Sequence, residues 1–172
     1  SLFLVNNLFR KQINMPFIRI NKNLDISQNE RLPSLNLTRA QIRGELKLKY
    51  NKDQFTRWKG GATLILVNAE VGFINDSPES LPHNLKLDGF TYTYFGGINE
   101  ANELYNIADR DFKSWLKKQK HYSRQPYEQL ASILQKAGYK ERASDILYES
   151  KERERNGVAT IKYWLFLTVL KY

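Results

Sequence analysis

The amino-acid sequence predicts an α+β protein in which a short, irregular β-solenoid is followed by a three-helix segment that caps one of its ends. Three observations lead to this fold class. The first two-thirds of the 172 residues repeat short apolar pairs, the following segment carries helical apolar stripes, and glycine- or proline-containing stretches punctuate both. An antiparallel sheet is the alternative architecture for the β part.

The β part is predicted from tripeptides of the Leu-x-Leu type, because period-two apolar residues mark short strands with one buried face. Two longer phrases resemble each other: residues 35–44 read LNLTRAQIRG and residues 64–72 read LILVNAEVG. In both, an alanine precedes a β-branched residue and a glycine, a combination that suits a tight corner. The intervals between the tripeptides are irregular, so the predicted solenoid is a degenerate one.

The helical part is predicted to begin after Gly96 and Gly97, with Asn99 as the N-cap of a first helix. Apolar residues at helical spacing continue as far as Leu116 and indicate that this helix buries one face. A basic cluster follows at 117–121, where positive charge suits the negative end of the helix dipole.

A helical hairpin is predicted next. Pro126 favours the first position of a second helix, and Gly138 is typical of the left-handed residue that ends one. A third helix from about Lys140 to Asn156 would lie antiparallel to the second, because the link between them is short.

These patterns divide the chain into a β-rich solenoid-like domain at 1–97, a three-helix capping segment with the hairpin at 98–156, and an apolar tail at 157–172. The tail is interpreted as a truncated membrane segment, with a terminal packing helix as the alternative. Its apolar run is interrupted by Lys162 and is shorter than the roughly 20 residues that a spanning helix needs.

The net charge of +9 is unevenly distributed along the chain. Residues 1–60 carry 12 Lys or Arg and 4 acids, residues 61–109 carry 1 and 7, and residues 110–172 carry 14 and 7. Such asymmetry steers a protein towards anionic partners.

Basic and aromatic side chains interleave in the first basic region, and we predict a partner-binding or anionic-surface site there. Such a surface attracts anionic lipid at about 1 kcal/mol per basic group. Basic grooves with stacking aromatics also bind single-stranded nucleic acid, which is the less favoured alternative. The predicted residues are Arg39, Arg43, Lys47, Lys49, Lys52, Phe55, Arg57, Trp58 and Lys59.

The sequence offers few catalytic groups. It has no cysteine and two histidines, His83 and His121, which excludes cysteine-based zinc sites and a histidine-rich metal centre. Dinucleotide-binding, P-loop and nucleophile-elbow motifs are not found. The acids Asp76, Glu79 and Asp88 lie near His83, but among turn residues that bind their own backbone. No catalytic residue, metal or cofactor is therefore expected.

Four segments carry a resemblance to a known family: 87–92, 110–116, 125–131 and 137–153. Through them the chain resembles bacterial membrane-associated proteins with a leucine- and glycine-rich β-solenoid, a C-terminal helical hairpin and a hydrophobic membrane region. Members are often described as hypothetical membrane proteins or membrane-associated oxidoreductases. The resemblance implies membrane association and provides no catalytic residues.

The basic residues Lys151, Arg153 and Arg155 directly precede the apolar tail. Positive charges beside a membrane segment stay on the cytoplasmic side, so the sequence predicts the cytoplasmic face of a bacterial inner membrane. The expected function is a non-enzymatic binding or scaffold domain for a protein partner or an anionic membrane surface. A nucleic-acid-binding module and an enzyme of unknown type are the alternatives.

Overall fold

The computed structural model of the chain describes residues 1–51, 53–95 and 110–169, with the backbone alone for 158–169. Within these residues, short strands form two sheets, and each pairing between the strands is parallel. The larger sheet contains β1 (Leu2–Phe3), β3 (Arg19–Ile20), β4 (Leu24–Asp25), β6 (Gln41–Lys47), β8 (Glu70–Asn75) and β10 (Thr91–Phe95). The smaller sheet contains β2 (Ile13–Asn14), β5 (Leu35–Asn36), β7 (Thr63–Ile65) and β9 (Asn84–Lys86).

This architecture belongs to the α/β class, and the predicted α+β class, with a solenoid or an antiparallel sheet, is wrong. The order of the larger sheet is β1-β4-β6-β8-β10, with β3 also beside β6, and the order of the smaller sheet is β2-β5-β7-β9. A Leu-x-Leu tripeptide shows which side chains face the core but carries no information about strand direction. The direction follows from the connections, which bring the chain back to each sheet in the same sense.

The two similar sequence phrases lie side by side in parallel register. Leu35 pairs with Leu64 in the smaller sheet, and Gln41 pairs with Glu70 in the larger sheet. Leu35 and Leu64 are fully buried, and each such side chain contributes about 1.5–3 kcal/mol to folding. Repetition of the phrase therefore places equivalent leucines next to each other in the core.

Three α-helices follow the strands in the described part of the chain, and the prediction of three helices is confirmed. The first, α1 (Phe112–Lys117), begins after Asp111, whose carboxylate accepts a hydrogen bond from the backbone N–H of Ser114 at 3.0 Å. The predicted N-cap Asn99 and the glycines Gly96 and Gly97 lie outside the described residues.

Helix α1 packs within the same compact unit as the strands, Ser1–Lys120. The ring of Trp115 lies edge-on to that of Phe95 in β10, with 5.0 Å between the ring centroids. Just beyond the helix, the carbonyl of Lys118 accepts from the N–H of Leu85, and the Gln119 side chain accepts from the N–H of Leu87. The segment after α1 thus satisfies backbone donors along β9.

The second unit, His121–Tyr172, contains α2 (Gln125–Lys136) and α3 (Lys140–Val169). Gly138 joins them with a φ of 89°, a left-handed conformation that a glycine adopts without strain. Helix α3 does not end near Asn156 as predicted, because the single glycine at 157 costs about 1 kcal/mol and does not stop a helix. The domain bounds proposed from the sequence stay a prediction.

Among the described residues, no helix is both long enough and apolar enough to cross a membrane.

Candidate functional site

Several side chains of the predicted basic surface are held by contacts inside the first unit. The guanidinium of Arg57 pairs with Glu30 at 2.6 Å, and the Trp58 indole donates to the carbonyl of Ser80 at 2.7 Å. The ammonium of Lys59 donates to the carbonyl of Phe9 at 2.9 Å. These three side chains therefore connect segments that are far apart in the sequence.

Other members of the predicted set make weaker contacts. Lys47 lies 3.8 Å from the carboxylate of Asp25. The guanidinium of Arg39 lies 5.6 Å from the centre of the Phe17 ring, within cation–π range. Two further members, Lys49 and Phe55, form an isolated antiparallel bridge with each other. Lys52 lies outside the described residues. The binding role of this set stays a prediction.

Arg43 differs from the rest of the set, because it is exposed on β6 and lines a cleft of about 360 Å³. The cleft crosses the three neighbouring strands β6, β8 and β10 of the larger sheet. Its polar lining consists of Gln41, Arg43, Glu70 and Thr93, and its floor includes Gly72.

The four polar side chains of the cleft make no hydrogen bond or ion pair with any residue in the described part of the chain. Gln41, Arg43, Glu70 and Thr93 are all exposed. Their backbone groups take part in the sheet, whereas their side chains point away from the core. The cleft thus combines the N–H donors of a guanidinium, a carboxylate acceptor, an amide and a hydroxyl, all of which are accessible to a ligand.

A local irregularity of the sheet creates the cleft. The register between β6 and β8 shifts between Ile42 and Glu45, opposite Gly72. A Cβ atom at Gly72 would lie 2.5 Å from the Arg43 carbonyl oxygen, so a side chain cannot be accommodated there without moving the neighbouring strand. Val71 and Ile74 are both buried, and the two residues between them lie on the outer side. Two residues of β6, Arg43 and Gly44, thus lie opposite Gly72, and an extra residue of this kind disrupts the regular pairing beside the cleft.

An aromatic pair lies directly beside the cleft. Phe73 follows Gly72 on β8, Tyr94 follows Thr93 on β10, and the two residues are register partners. Their rings are stacked, with centroids 5.6 Å apart and an angle of 15° between the planes. They are 42 % and 54 % exposed and form a small aromatic patch on the surface of the first unit.

The acidic residues identified from the sequence do not act together. Asp76 is buried and forms an ion pair with Arg110. Glu79 is exposed, and a hydrogen bond from its own backbone lowers the pKa of its carboxyl group. Asp88 is exposed and accepts a long hydrogen bond from Gln119 at 3.4 Å. His83 is exposed in the same loop region. His121, in the second unit, is also exposed.

The Asp76–Arg110 pair is a structural junction of the first unit. The guanidinium lies 4.4 Å from the centre of the Phe95 ring and 5.3 Å from that of Phe112. Burial lowers the pKa of the nearby Lys118, and the carboxylates of Asp76 and Glu79 oppose this shift. The junction ties the end of β8 to the segment that leads into α1.

The basic residues before the apolar stretch have different environments within the second unit. Arg153 donates to the Tyr127 hydroxyl at 2.7 Å, and Arg155 pairs with Glu152 at 2.7 Å. Lys151 is exposed. Burial raises the pKa of Tyr127, which keeps its hydroxyl protonated and able to accept from Arg153. Arg153 therefore has a structural contact in the hairpin.

Comparison with known proteins gives no relative: no family model, curated protein or solved structure matches the chain significantly. The resemblance drawn from the sequence stays a prediction.

Sequence reasoning missed most of the cleft, including Gln41, Glu70, Phe73, Thr93 and Tyr94. The available signal was the alignment of the phrases 41–44 and 70–72, which places Gln41 beside Glu70. The pairing of Phe73 with Tyr94 depends on the parallel register of β8 and β10, which the sequence pattern does not determine.

Proposed function

We propose that this protein is a non-enzymatic binding module that holds a ligand on the outer face of its larger sheet. The observation that carries the proposal is the cleft over Gly72, whose four polar side chains have no hydrogen-bond or ion-pair partner among the described residues, with an exposed aromatic pair adjacent in the chain to the cleft lining. Polar groups at fixed positions beside apolar surface are characteristic of ligand sites.

The chemistry of the cleft favours binding over catalysis. General acid–base catalysis uses a group that gains or loses a proton near the working pH, commonly with a second group beside it. Of the residues that line the cleft, Glu70 is the one that can exchange a proton, since the guanidinium of Arg43 remains charged. A carboxylate and a guanidinium on a sheet are suited to fixing the orientation of a ligand.

The geometry of the sheet supports the same proposal. The hydrogen-bonded parallel strands β6, β8 and β10 carry the cleft residues, and the neighbouring Val71 and Tyr92 are buried. Sites on strands are held more precisely than sites on loops, which reduces the entropy lost on binding.

Association with the cytoplasmic face of a bacterial inner membrane is a further part of the proposal. It is supported by the sequence, through the positive charges of Lys151, Arg153 and Arg155 before the apolar stretch. The cleft belongs to the first unit and the apolar stretch belongs to the second, which is compatible with a scaffold role beside a membrane.

Nuclear magnetic resonance of the isotope-labelled protein tests the proposal. A panel of neutral oligosaccharides, oligothymidylate, and acidic and basic peptides would be added in turn. We expect at least one probe to shift the backbone amides of Arg43, Glu70 and Tyr94. The shifts should disappear in the double variant Phe73→Ser/Tyr94→Ser and remain in Tyr148→Ser, a matched exposed aromatic on α3.

The proposal fails if no probe perturbs the cleft amides. It also fails if the perturbations persist in the Phe73→Ser/Tyr94→Ser variant, because binding would then not use the aromatic pair.

A further inference from the structure

We propose that the ligand of the cleft is an uncharged oligosaccharide. This inference rests on the proposed function, since it names the ligand class for the same site. Three features of the cleft lead to it: balanced charge, mixed hydrogen-bonding capacity and an exposed aromatic platform.

The charges of the cleft residues cancel. Arg43 supplies a positive charge and Glu70 a negative one, and no other charged residue lines the cleft among the described residues. A polyanion such as a nucleic acid would gain from Arg43 but would meet the carboxylate of Glu70 at close range. Like charges in proximity disfavour such a ligand, whereas a neutral ligand encounters no repulsion.

The hydrogen-bonding groups match a ligand rich in hydroxyl groups. Each hydroxyl of a sugar both donates and accepts, so its site must offer donors and acceptors together. Arg43 only donates, Glu70 only accepts, and Gln41 and Thr93 do both. Because none of these four side chains is satisfied by another described residue, the ligand replaces water as their partner.

The aromatic pair supplies the apolar part of the site. A pyranose ring has a face of C–H groups, which packs on an exposed aromatic ring while the hydroxyl groups point outwards to polar partners. Phe73 and Tyr94 are adjacent in the chain to Gly72 and Thr93, so a sugar unit on the rings would lie next to residues that line the cleft.

Isothermal titration with three soluble hexasaccharides tests the inference: β-linked glucose, α-linked glucose and β-linked N-acetylglucosamine. We expect wild-type protein to bind at least one of them. Glu70→Lys should weaken this binding by about tenfold, because the acceptor is lost. Phe73→Ser/Tyr94→Ser should weaken it at least as much. Tyr148→Ser, which alters an exposed aromatic residue that does not line the cleft, should leave it unchanged within about twofold.

Titration with oligothymidylate separates the two ligand classes, because Glu70→Lys is expected to change its affinity in the opposite direction from that of a saccharide. In an anion-binding cleft, Glu70→Lys removes the repulsion and adds a cation, so it would strengthen binding. Glu70→Gln, which preserves the shape of the side chain, provides a second variant in case Glu70→Lys disturbs the sheet. Circular dichroism of each variant confirms that the fold is retained.

The outcomes distinguish the inference from the proposed function. If no hexasaccharide binds, or if Glu70→Lys and Glu70→Gln leave saccharide binding unchanged, the inference is overturned. If oligothymidylate binds instead and loses affinity in Phe73→Ser/Tyr94→Ser, the inference fails while the proposed function stands. If no saccharide, oligothymidylate, or acidic or basic peptide binds to the cleft, both fail.

Discussion

Two regions of the first unit carry polar and aromatic side chains in similar variety and use them differently. In the segment 57–59, Arg57 pairs with Glu30, and Trp58 and Lys59 donate to backbone carbonyls elsewhere in the unit. In the cleft, Arg43 and Glu70 make no such contacts with the described residues. Both regions look alike in composition, but one stabilises the fold and the other is open to a ligand.

The difference shows how a functional surface can be recognised without relatives. A polar side chain with an internal partner has already exchanged water for protein, and a ligand that uses it must first break that contact. A side chain without an internal partner loses only water on binding. The cleft is therefore the better candidate site, although the segment 57–59 is the more basic of the two.

The largest effect on stability is expected at the buried ion pair. Arg110→Met leaves the carboxylate of Asp76, whose side chain is 0 % exposed, without its positive partner. We expect the free energy of unfolding to fall by about 3–5 kcal/mol, measured by urea denaturation. The matched control is Arg57→Met, which removes a pair whose Glu30 is 73 % exposed and should cost less than about 1 kcal/mol. Equal losses in the two variants would contradict this ranking.

The next largest effect is expected at the floor of the cleft. In Gly72→Ala, the new Cβ would lie 2.5 Å from the Arg43 carbonyl oxygen and 2.8 Å from that of Gly44. Both contacts are with backbone of the paired strand, so we expect a loss of about 2–3 kcal/mol in thermal or urea unfolding. Gly60→Ala, where nothing lies within 4 Å of the new atom, should change stability by less than about 0.5 kcal/mol. A neutral Gly72→Ala would show that the bend is not fixed by close packing.

Local patterns predicted the local parts of this structure. The proline at 126 and the glycine at 138 indicated a helical hairpin, because each has a conformational preference that acts within a few residues. The similarity of the phrases 35–44 and 64–72 was visible in the sequence, but the pairing of Leu35 with Leu64 is known from the structure.

Contacts between distant segments could not be predicted in this way. Nothing in the sequence near Lys59 indicates that its ammonium reaches the carbonyl of Phe9. The stacking of Phe73 on Tyr94 likewise follows from a parallel register, and tripeptide periodicity is compatible with either strand direction. Strand direction is also the reason why the antiparallel alternative for the β part was wrong.

A smaller effect is expected from a single hydrogen bond in the segment 57–59. Trp58→Phe removes the indole donor to the carbonyl of Ser80, and we expect a loss of about 1 kcal/mol in urea denaturation. Tyr94→Phe also removes one donor, but from a side chain that is 54 % exposed, and it should leave stability unchanged. If Trp58→Phe instead left stability unaltered and reduced ligand binding, the functional ranking of the two regions would be reversed.

The smallest effect on stability is expected at the charges of the cleft. Arg43→Met and Glu70→Gln each alter an exposed side chain that has no internal partner among the described residues, so each should change the free energy of unfolding by less than about 0.5 kcal/mol. A double-mutant cycle measures whether the two charges stabilise each other. A coupling free energy near zero means that neither side chain gives up a protein contact when a ligand arrives. A coupling above about 1 kcal/mol would place them with Arg57 and Glu30 as internal partners and would remove the distinction between the two regions.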